Sequence, residues 1–163
     1  MAQWSDFAAA SPRLSAFVAE RLTDPATGRL SYLATLRPDG GPRVHPVVAF
    51  VTSGRLWVFS FQGSPKAADL LRDPRYAVHL GVTADPFVSG EAAIRGRATR
   101  VDDAATRAAA VEAAAFAMAP GDDAILFELG VDLVSATFTG ETGPTRLRWR
   151  EGEPAETELP LAG

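Results

Sequence analysis

The sequence contains no cysteine, which removes disulfides, thiolate nucleophiles and thiolate metal sites from consideration. Histidine is nearly as scarce. His45 and His79 are the only two, too few for a histidine-rich metal centre. The N-terminus, Met1-Ala-Gln-Trp-Ser-Asp-Phe7, has neither a basic lead nor a long apolar run, and no membrane span is visible. A cytoplasmic protein without membrane contact is expected. The net charge of −4 argues against nucleic acid as a partner, because that needs a basic face. Motifs are missing too: there is no Gly-x-Ser-x-Gly elbow and no glycine-rich dinucleotide fingerprint. Gly63-Ser-Pro-Lys66 lacks the glycine spacing and trailing hydroxyl of a Walker loop. Should the protein be an enzyme, a bound cofactor would carry the chemistry.

The last scarcity is the most informative. Arginine is abundant, yet Lys66 is the only lysine. It follows the stretch around which the chain is organised, Arg55-Leu-Trp-Val-Phe-Ser-Phe61, which is apolar and aromatic as a buried strand should be. Gly63 ends that run, Ser64 is a good N-cap, and Pro65 suits the first helical position. Ala67, Ala68, Leu70 and Leu71 continue a helix that Asp73-Pro74 stops. Lys66 thus stands in a first helical turn, where a cation opposes the helix dipole by ~0.3–1 kcal/mol. The position suits it if an anion binds there, with unpaired N–H groups and the ammonium on one oxyanion. A surface lysine that merely survived compositional bias is the alternative, and the residues alone leave both open.

At 163 residues, one domain over 1–150 with a full core is expected, followed by an acidic, proline-bearing, disordered tail over 151–163. Residues 1–10 read as a loose lead-in. Ser11-Pro12 opens a helix with Leu14, Phe17, Val18 and Leu22 on one face, closed by Asp24-Pro25. Strands are expected over 30–37 and 42–52, joined by Pro38-Asp-Gly-Gly41. Pro46 demands a bulge or an edge in the second. Ser53-Gly54 turns into the organising strand. A strand over 75–82, a loop with Asp85-Pro86 and a strand over 91–101 follow. Gly96 marks a bend or close backbone approach in that strand. Asp102 or Asp103 caps a helix reaching about Met118, broken by Ala119-Pro-Gly121. Segments 125–129, 131–139 and 145–150 complete the strands. The last has Leu147 and Trp149 on one face and Arg146, Arg148 and Arg150 on the other. The pattern is mainly β: an antiparallel barrel with flanking helices.

Two further readings concern placement. Pairing back from Ser53-Gly54 would bring His45 and Pro46 opposite Phe61 and Gln62, near the anion loop. His45 is then a donor to a phosphate or ring edge, or else a strand histidine facing solvent. His79 reads as structural. Phe50, Trp57, Phe59 and Phe61 lie on adjacent strands that do not alternate with polar residues. A strand apolar on both faces needs cover on both sides; the helices could cover part of the outer one, and a second copy of the chain is the economical cover for it.

Leu33-Ala-Thr-Leu-Arg-Pro-Asp-Gly40, Pro42-Arg-Val-His-Pro-Val47, Arg55-Leu-Trp-Val-Phe-Ser60, Gly63-Ser-Pro-Lys66 and Leu71-Arg-Asp-Pro-Arg75 occur in that order. The set resembles the pyridoxamine 5′-phosphate oxidase-like superfamily of FMN- and F420-binding proteins over about residues 28–150. Thr145-Arg-Leu-Arg-Trp149 is similar to that group's last strand. The resemblance implies a six-stranded antiparallel split barrel of the FMN-binding type, dimeric, with cofactor at the interface. It places His45, Ser60, Ser64, Pro65 and Lys66 at the cofactor phosphate, and Val44, His45, Pro46, Val47, Ser60, Phe61 and Gln62 along the ring. The oxidases proper carry arginines where this chain has His45 and Pro65. The expectation is an FMN-dependent oxidoreductase, a homodimer transferring hydride to or from a small molecule. An F420-dependent reductase, with Arg37 and Arg43 as candidates for that cofactor's acidic tail, is the alternative. So is a cofactor-binding sensor without turnover. No catalytic acid or base can be named.

Overall fold

Strand β4 (Arg55–Phe61) is buried from Leu56 to Ser60, on both of its faces, and the architecture follows from covering it twice. The computed structural model describes residues 1–24, 29–80, 90–114, 120–140 and 143–160. Around β4 stand β1 (Ser31–Leu36), β2 (Pro42–Val47), β3 (Ala49–Thr52), β5 (Arg75–Leu80), β6 (Glu91–Val101), β7 (Ala124–Gly140), β8 (Gly143–Arg150) and β9 (Thr157–Leu159). All pairings are antiparallel, along the path β2-β1-β5-β6-β7-β4-β3. The two ends of that path, β2 and β3, are consecutive in the chain and separated only by Val48. Counted as one strand bent at Val48, they close the path into a six-stranded barrel.

The barrel is split at β7. Residues 124–128 of its one edge pair with β4, and residues 133–140 pair with β8, so two different strands share that edge. The segments expected as separate strands over 125–129 and 131–139 are therefore one continuous strand. A bulge accommodates it: Arg95 pairs with Leu133 but Gly96 with Val131, leaving Asp132 as the extra residue. Gly96 is required there, because a Cβ would stand 1.8 Å from the Gly130 carbonyl oxygen. Pro46 sits on β2, whose only strand partner among the described residues is β1, so of the two expectations the edge holds.

Inside the barrel Leu33, Leu56, Val58, Val78, Ile94, Phe127 and Val134 form the main core. Helix α2 (Pro12–Thr23) closes one side with Leu14, Val18 and Leu22. The expected loose lead-in is instead helix α1 (Trp4–Ala10). Its Phe7 ring packs 5.2 Å from those of both Trp4 and Trp149, a tertiary anchor that local propensity does not reveal. The other side of β4 is a second core of Phe50, Trp57, Phe59 and Leu126 beneath Ala110 and Ala114 of α4 (Ala104–Ala114). This corrects the expected subunit interface. Alanines on α4 let the helix lie close over Phe50, Trp57 and Phe59, so a helix of the same chain covers that face. Phe61 alone of the four stays exposed.

The acidic C-terminal stretch also differs from the expected disordered tail. Strand β9 pairs with β8, and the Glu156 carboxylate accepts the Ser11 hydroxyl and, at 3.2 Å, the Leu14 N–H at the start of α2. The Asp24-Pro25 stop, the end of the 75–82 strand, the Asp85-Pro86 loop, the helix beyond 114 with its Ala119 break, and 161–163 lie wholly or partly outside the described residues. Among those described, no helix is long and apolar enough to cross a membrane.

The bulge gives a direct test. Gly96→Ala must push β6 from β7, and overpacking of this kind costs about 1–3 kcal/mol. For a chain this size the melting temperature should fall by roughly 2–12 °C. An unchanged melt would mean that the two backbones do not meet there.

Candidate functional site

The end of β4 is where its apolar run gives out. Gln62 donates its backbone N–H to the Asp123 carbonyl at 2.7 Å, and Ser64 returns its N–H to the Phe61 carbonyl at 3.0 Å. Gly63 between them has φ +81°, a conformation that costs glycine little. Helix α3 (Pro65–Arg72) starts as expected: Ser64 is extended, and its hydroxyl accepts the Ala67 N–H at 3.4 Å. The Ser64 hydroxyl also meets that of Ser60, buried at the end of β4, at 3.0 Å. Pro65 occupies the first helical position, where its missing N–H is no loss. Lys66 follows, half-buried, and makes no salt bridge among the described residues. Its N–H belongs to the first turn, which has no acceptor within the helix.

Across from α3 lies β2. Its burial alternates, with Arg43, His45 and Val47 turned inward and Pro42, Val44 and Pro46 exposed. The expected pairing of His45 and Pro46 with Phe61 and Gln62 is not made. His45 pairs with Leu33 and Pro46 with Tyr32, because the chain bends at Val48 and leaves β4 for β1. The bend still brings His45 within the field of Lys66. Burial first, then the Lys66 and Arg43 charges, hold the imidazole pKa below its ordinary value, with Asp69 opposing. His45 is therefore a neutral imidazole at pH 7. Its Nε2 is buried and has no hydrogen-bond partner among the described residues. A buried polar atom without a partner costs about 1–3 kcal/mol, so a ligand atom there would be favourable.

Between α3 and β2 stands Asp69, 2 % exposed. It accepts Arg43 Nε at 2.7 Å, the Thr35 hydroxyl at 2.9 Å and an Arg72 terminal nitrogen at 3.2 Å. Arg72 also donates to the Leu36 carbonyl. Burial works against the Asp69 charge, but these hydrogen bonds outweigh it and hold the carboxyl below the usual carboxylate range. Asp69 and its network escaped the sequence reading. The available signal was an acidic residue beside Leu70 on the inward face of a short helix.

The expected residues thus divide. Ser60 and Ser64 meet at the start of α3, Lys66 stands in its first turn, and His45 on β2 lies within the field of Lys66. Val47 is spent in the barrel core, and Val44, Pro46, Phe61 and Pro65 are exposed around the cluster. Gln62 lines a separate cavity of about 200 Å³ with Arg100 and Arg107. A surface cavity of about 300 Å³ lies elsewhere, between His79, Glu91, Ser135 and Arg146. Chemically, the cluster offers an ammonium, two hydroxyls, a helix-start N–H and an unpartnered imidazole nitrogen. That set suits a phosphate monoester.

A family model described as pyridoxamine 5′-phosphate oxidase matches residues 17–135. Among solved structures, an FMN-binding, pyridoxamine 5′-phosphate oxidase-related protein of Nostoc punctiforme is similar at 16 % identity and a TM-score of 0.64, over 93 % of this chain and 95 % of that one. A conserved protein of Mycobacterium tuberculosis is similar at 18 % identity and a TM-score of 0.62, over 91 % of each chain. A heme-binding protein of Mycobacterium smegmatis is similar at 24 % identity and a TM-score of 0.58, over 80 % of this chain and 57 % of that one. At these identities the likeness is one of fold. No curated protein sequence matches the chain.

Asp69 carries a pH prediction. A carboxyl whose folded pKa is depressed adds stability that is fully present above its unfolded pKa, near 3.9, and is lost as pH falls through the folded value. Urea unfolding should therefore show the wild type losing stability below about pH 4, with a shallower loss in Asp69→Asn. Equal slopes in the two proteins would show that folding does not shift the Asp69 pKa.

Proposed function

Because this chain belongs to the pyridoxamine 5′-phosphate oxidase family, we propose that it binds FMN by its phosphate at the cluster of Lys66, Ser64, Ser60 and His45 and acts as an oxidoreductase on a small molecule. The observation that carries the reading is the buried Nε2 of His45, unpartnered among the described residues, in the field of the Lys66 and Arg43 charges, with Asp69 opposing. The bound flavin supplies the redox chemistry. The chain's own residues bind and orient. Lys66 neutralises phosphate charge, the helix start of α3 adds backbone donors, and His45, neutral, donates from Nε2 without adding charge. Exposed Val44, Pro46, Phe61 and Gln62 wall the ring in this reading. The protein works in the cytoplasm.

The test begins with the small molecule released on denaturing the purified protein. The mass of FMN supports the reading, whereas F420 or heme in its place overturns it. Lys66→Ala should then weaken FMN binding about tenfold to a hundredfold, the worth of one charge-assisted hydrogen bond, with the melting temperature nearly unchanged. Unaltered FMN affinity would remove the phosphate from this helix start.

We further propose that the protein is a homodimer, through a face other than the one its aromatic strands present. With Phe50, Trp57 and Phe59 covered by α4, exposed apolar surface remains on the outer side of β2, β1 and β5, at Val44, Tyr32 and Pro46 with Ala34 and Ala77 between them. That side adjoins the cluster through β2, so a second copy seated on it would also wall the cofactor. Ala34→Glu should give a monomer in sedimentation and weaken FMN binding with it. A wild-type monomer that holds FMN would refute the dimer.

A further inference from the structure

The phosphate end of the site contains one cation more than its first-turn lysine. Arg43 lies two residues before His45 on β2 and shares its inward face. Asp69 engages Arg43 through Nε alone, at 2.7 Å. Both terminal nitrogens of the guanidinium are without a protein hydrogen bond among the described residues, which leaves four N–H donors in a fixed fork. We propose that Asp69 is the positioning residue of the phosphate site, holding Arg43 on the His45 face of β2 so that its free guanidinium nitrogens bind the phosphate beside Lys66. This inference rests on the phosphate reading above.

Three features support it. The first is rigidity. Asp69 is buried and its second oxygen is held by Arg72, while Thr35 shares the first with Arg43, so it has little freedom to swing. A guanidinium anchored to it is pre-oriented, and an anion meeting it loses little further entropy. The second is charge. Arg43 and Arg72 share a single carboxylate and Lys66 makes no salt bridge among the described residues, which leaves a surplus of two positive charges. A phosphate monoester carries about −1.5 to −2 at pH 7, so the surplus matches it. The third is sign. A carboxylate beside an anion site repels the anion, so its net contribution is favourable only if holding Arg43 outweighs that repulsion. Bulk electrostatics and positioning therefore make opposite predictions for its removal.

The experiment is a pair of titrations at low salt, with FMN and with riboflavin, followed by quenching of flavin fluorescence. Riboflavin has the same ring and no phosphate, so a change confined to FMN reports on the phosphate end alone. Wild type, Lys66→Ala, Arg43→Gln, Asp69→Asn and the Arg43→Gln/Asp69→Asn double variant are compared. The expected result is FMN binding about tenfold weaker in each Arg43 and Asp69 single variant, with riboflavin affinity unchanged. The double variant should be no worse than either single, since both remove one arrangement. Tighter FMN binding in Asp69→Asn, or unchanged FMN binding in Arg43→Gln, overturns the inference. Should Asp69→Asn fail to fold, Arg43→Gln, a change at a partly exposed strand residue, decides alone. A loss in Lys66→Ala without one in Arg43→Gln defeats the positioning role and leaves the phosphate reading standing. No preference of the wild type for FMN over riboflavin defeats both.

Discussion

A strand that is apolar on both faces cannot rest on one layer, and β4 forces the protein to supply two. Leu56 and Val58 face the barrel interior, and Trp57 and Phe59 face α4. The barrel closes because the segment after β1 runs first beside β1 and then, past Val48, beside β4. One bent segment thus serves as both ends of the sheet, with β2 paired only to β1 and β3 only to β4 among the described residues. β4 stays buried through Ser60, and the chain emerges only at Phe61. The functional cluster sits where that burial ends. There the chain must turn, needs Gly63 to do so, and starts a helix whose first N–H groups have no partner within it.

The cluster is held together by a buried ion-pair network added to the packing of Ala67 and Leu70 of α3 into the core. A buried carboxylate is unfavourable unless several donors meet it, and Asp69 has donors from three elements: Thr35 on β1, Arg43 on β2 and Arg72 on its own helix. Removing one partner would leave a buried charge under-satisfied, so α3 cannot shift against β2 without cost. The same network explains why His45 stays neutral. It is partly buried in the field of two cations, and the opposing carboxylate of Asp69 is already engaged by Arg43 and Arg72.

Local chemistry was readable in the sequence, and tertiary cover was not. Ser64-Pro65-Lys66 declares a helix start because capping involves neighbours in the chain, and the hydroxyl does accept the Ala67 N–H. Gly96 declared a close approach because glycine in a strand is otherwise a poor choice, and the Gly130 carbonyl is there. The proximity of His45 to Lys66 was reached by a register that does not exist, since turn-based pairing assumes that a strand keeps its partner to the end. The two-sided burial of β4 was also readable, but not what covers it. An alanine-rich helix has only a modest apolar face, marked within 104–114 by Val111, too weak a signal to identify α4 as the lid over Phe50, Trp57 and Phe59. Trp4 and Phe7 were invisible as a helix for a related reason: seven residues have no stability of their own, and Trp149 supplies the contact that fixes them.

These same facts determine what kind of site this can be. His45 and Arg43 come from β2, Lys66 and Asp69 from α3, and Thr35 from β1, so no short segment carries the site. It exists only when the barrel has closed at Val48 and α3 has docked by Asp69. A ligand bridging β2 and α3 binds the folded state and not the unfolded chain, so its affinity adds to the stability of the closed barrel. Conversely, loosening the Asp69 network spoils the ligand site before it touches the core, because the barrel interior of Leu33, Val78 and Ile94 does not depend on that carboxylate. Fold and site share β4 as their origin, but they are stabilised by different physics. The first rests on burial of apolar surface, and the second on one carboxylate shared by two arginines and an imidazole nitrogen with no hydrogen-bond partner among the described residues.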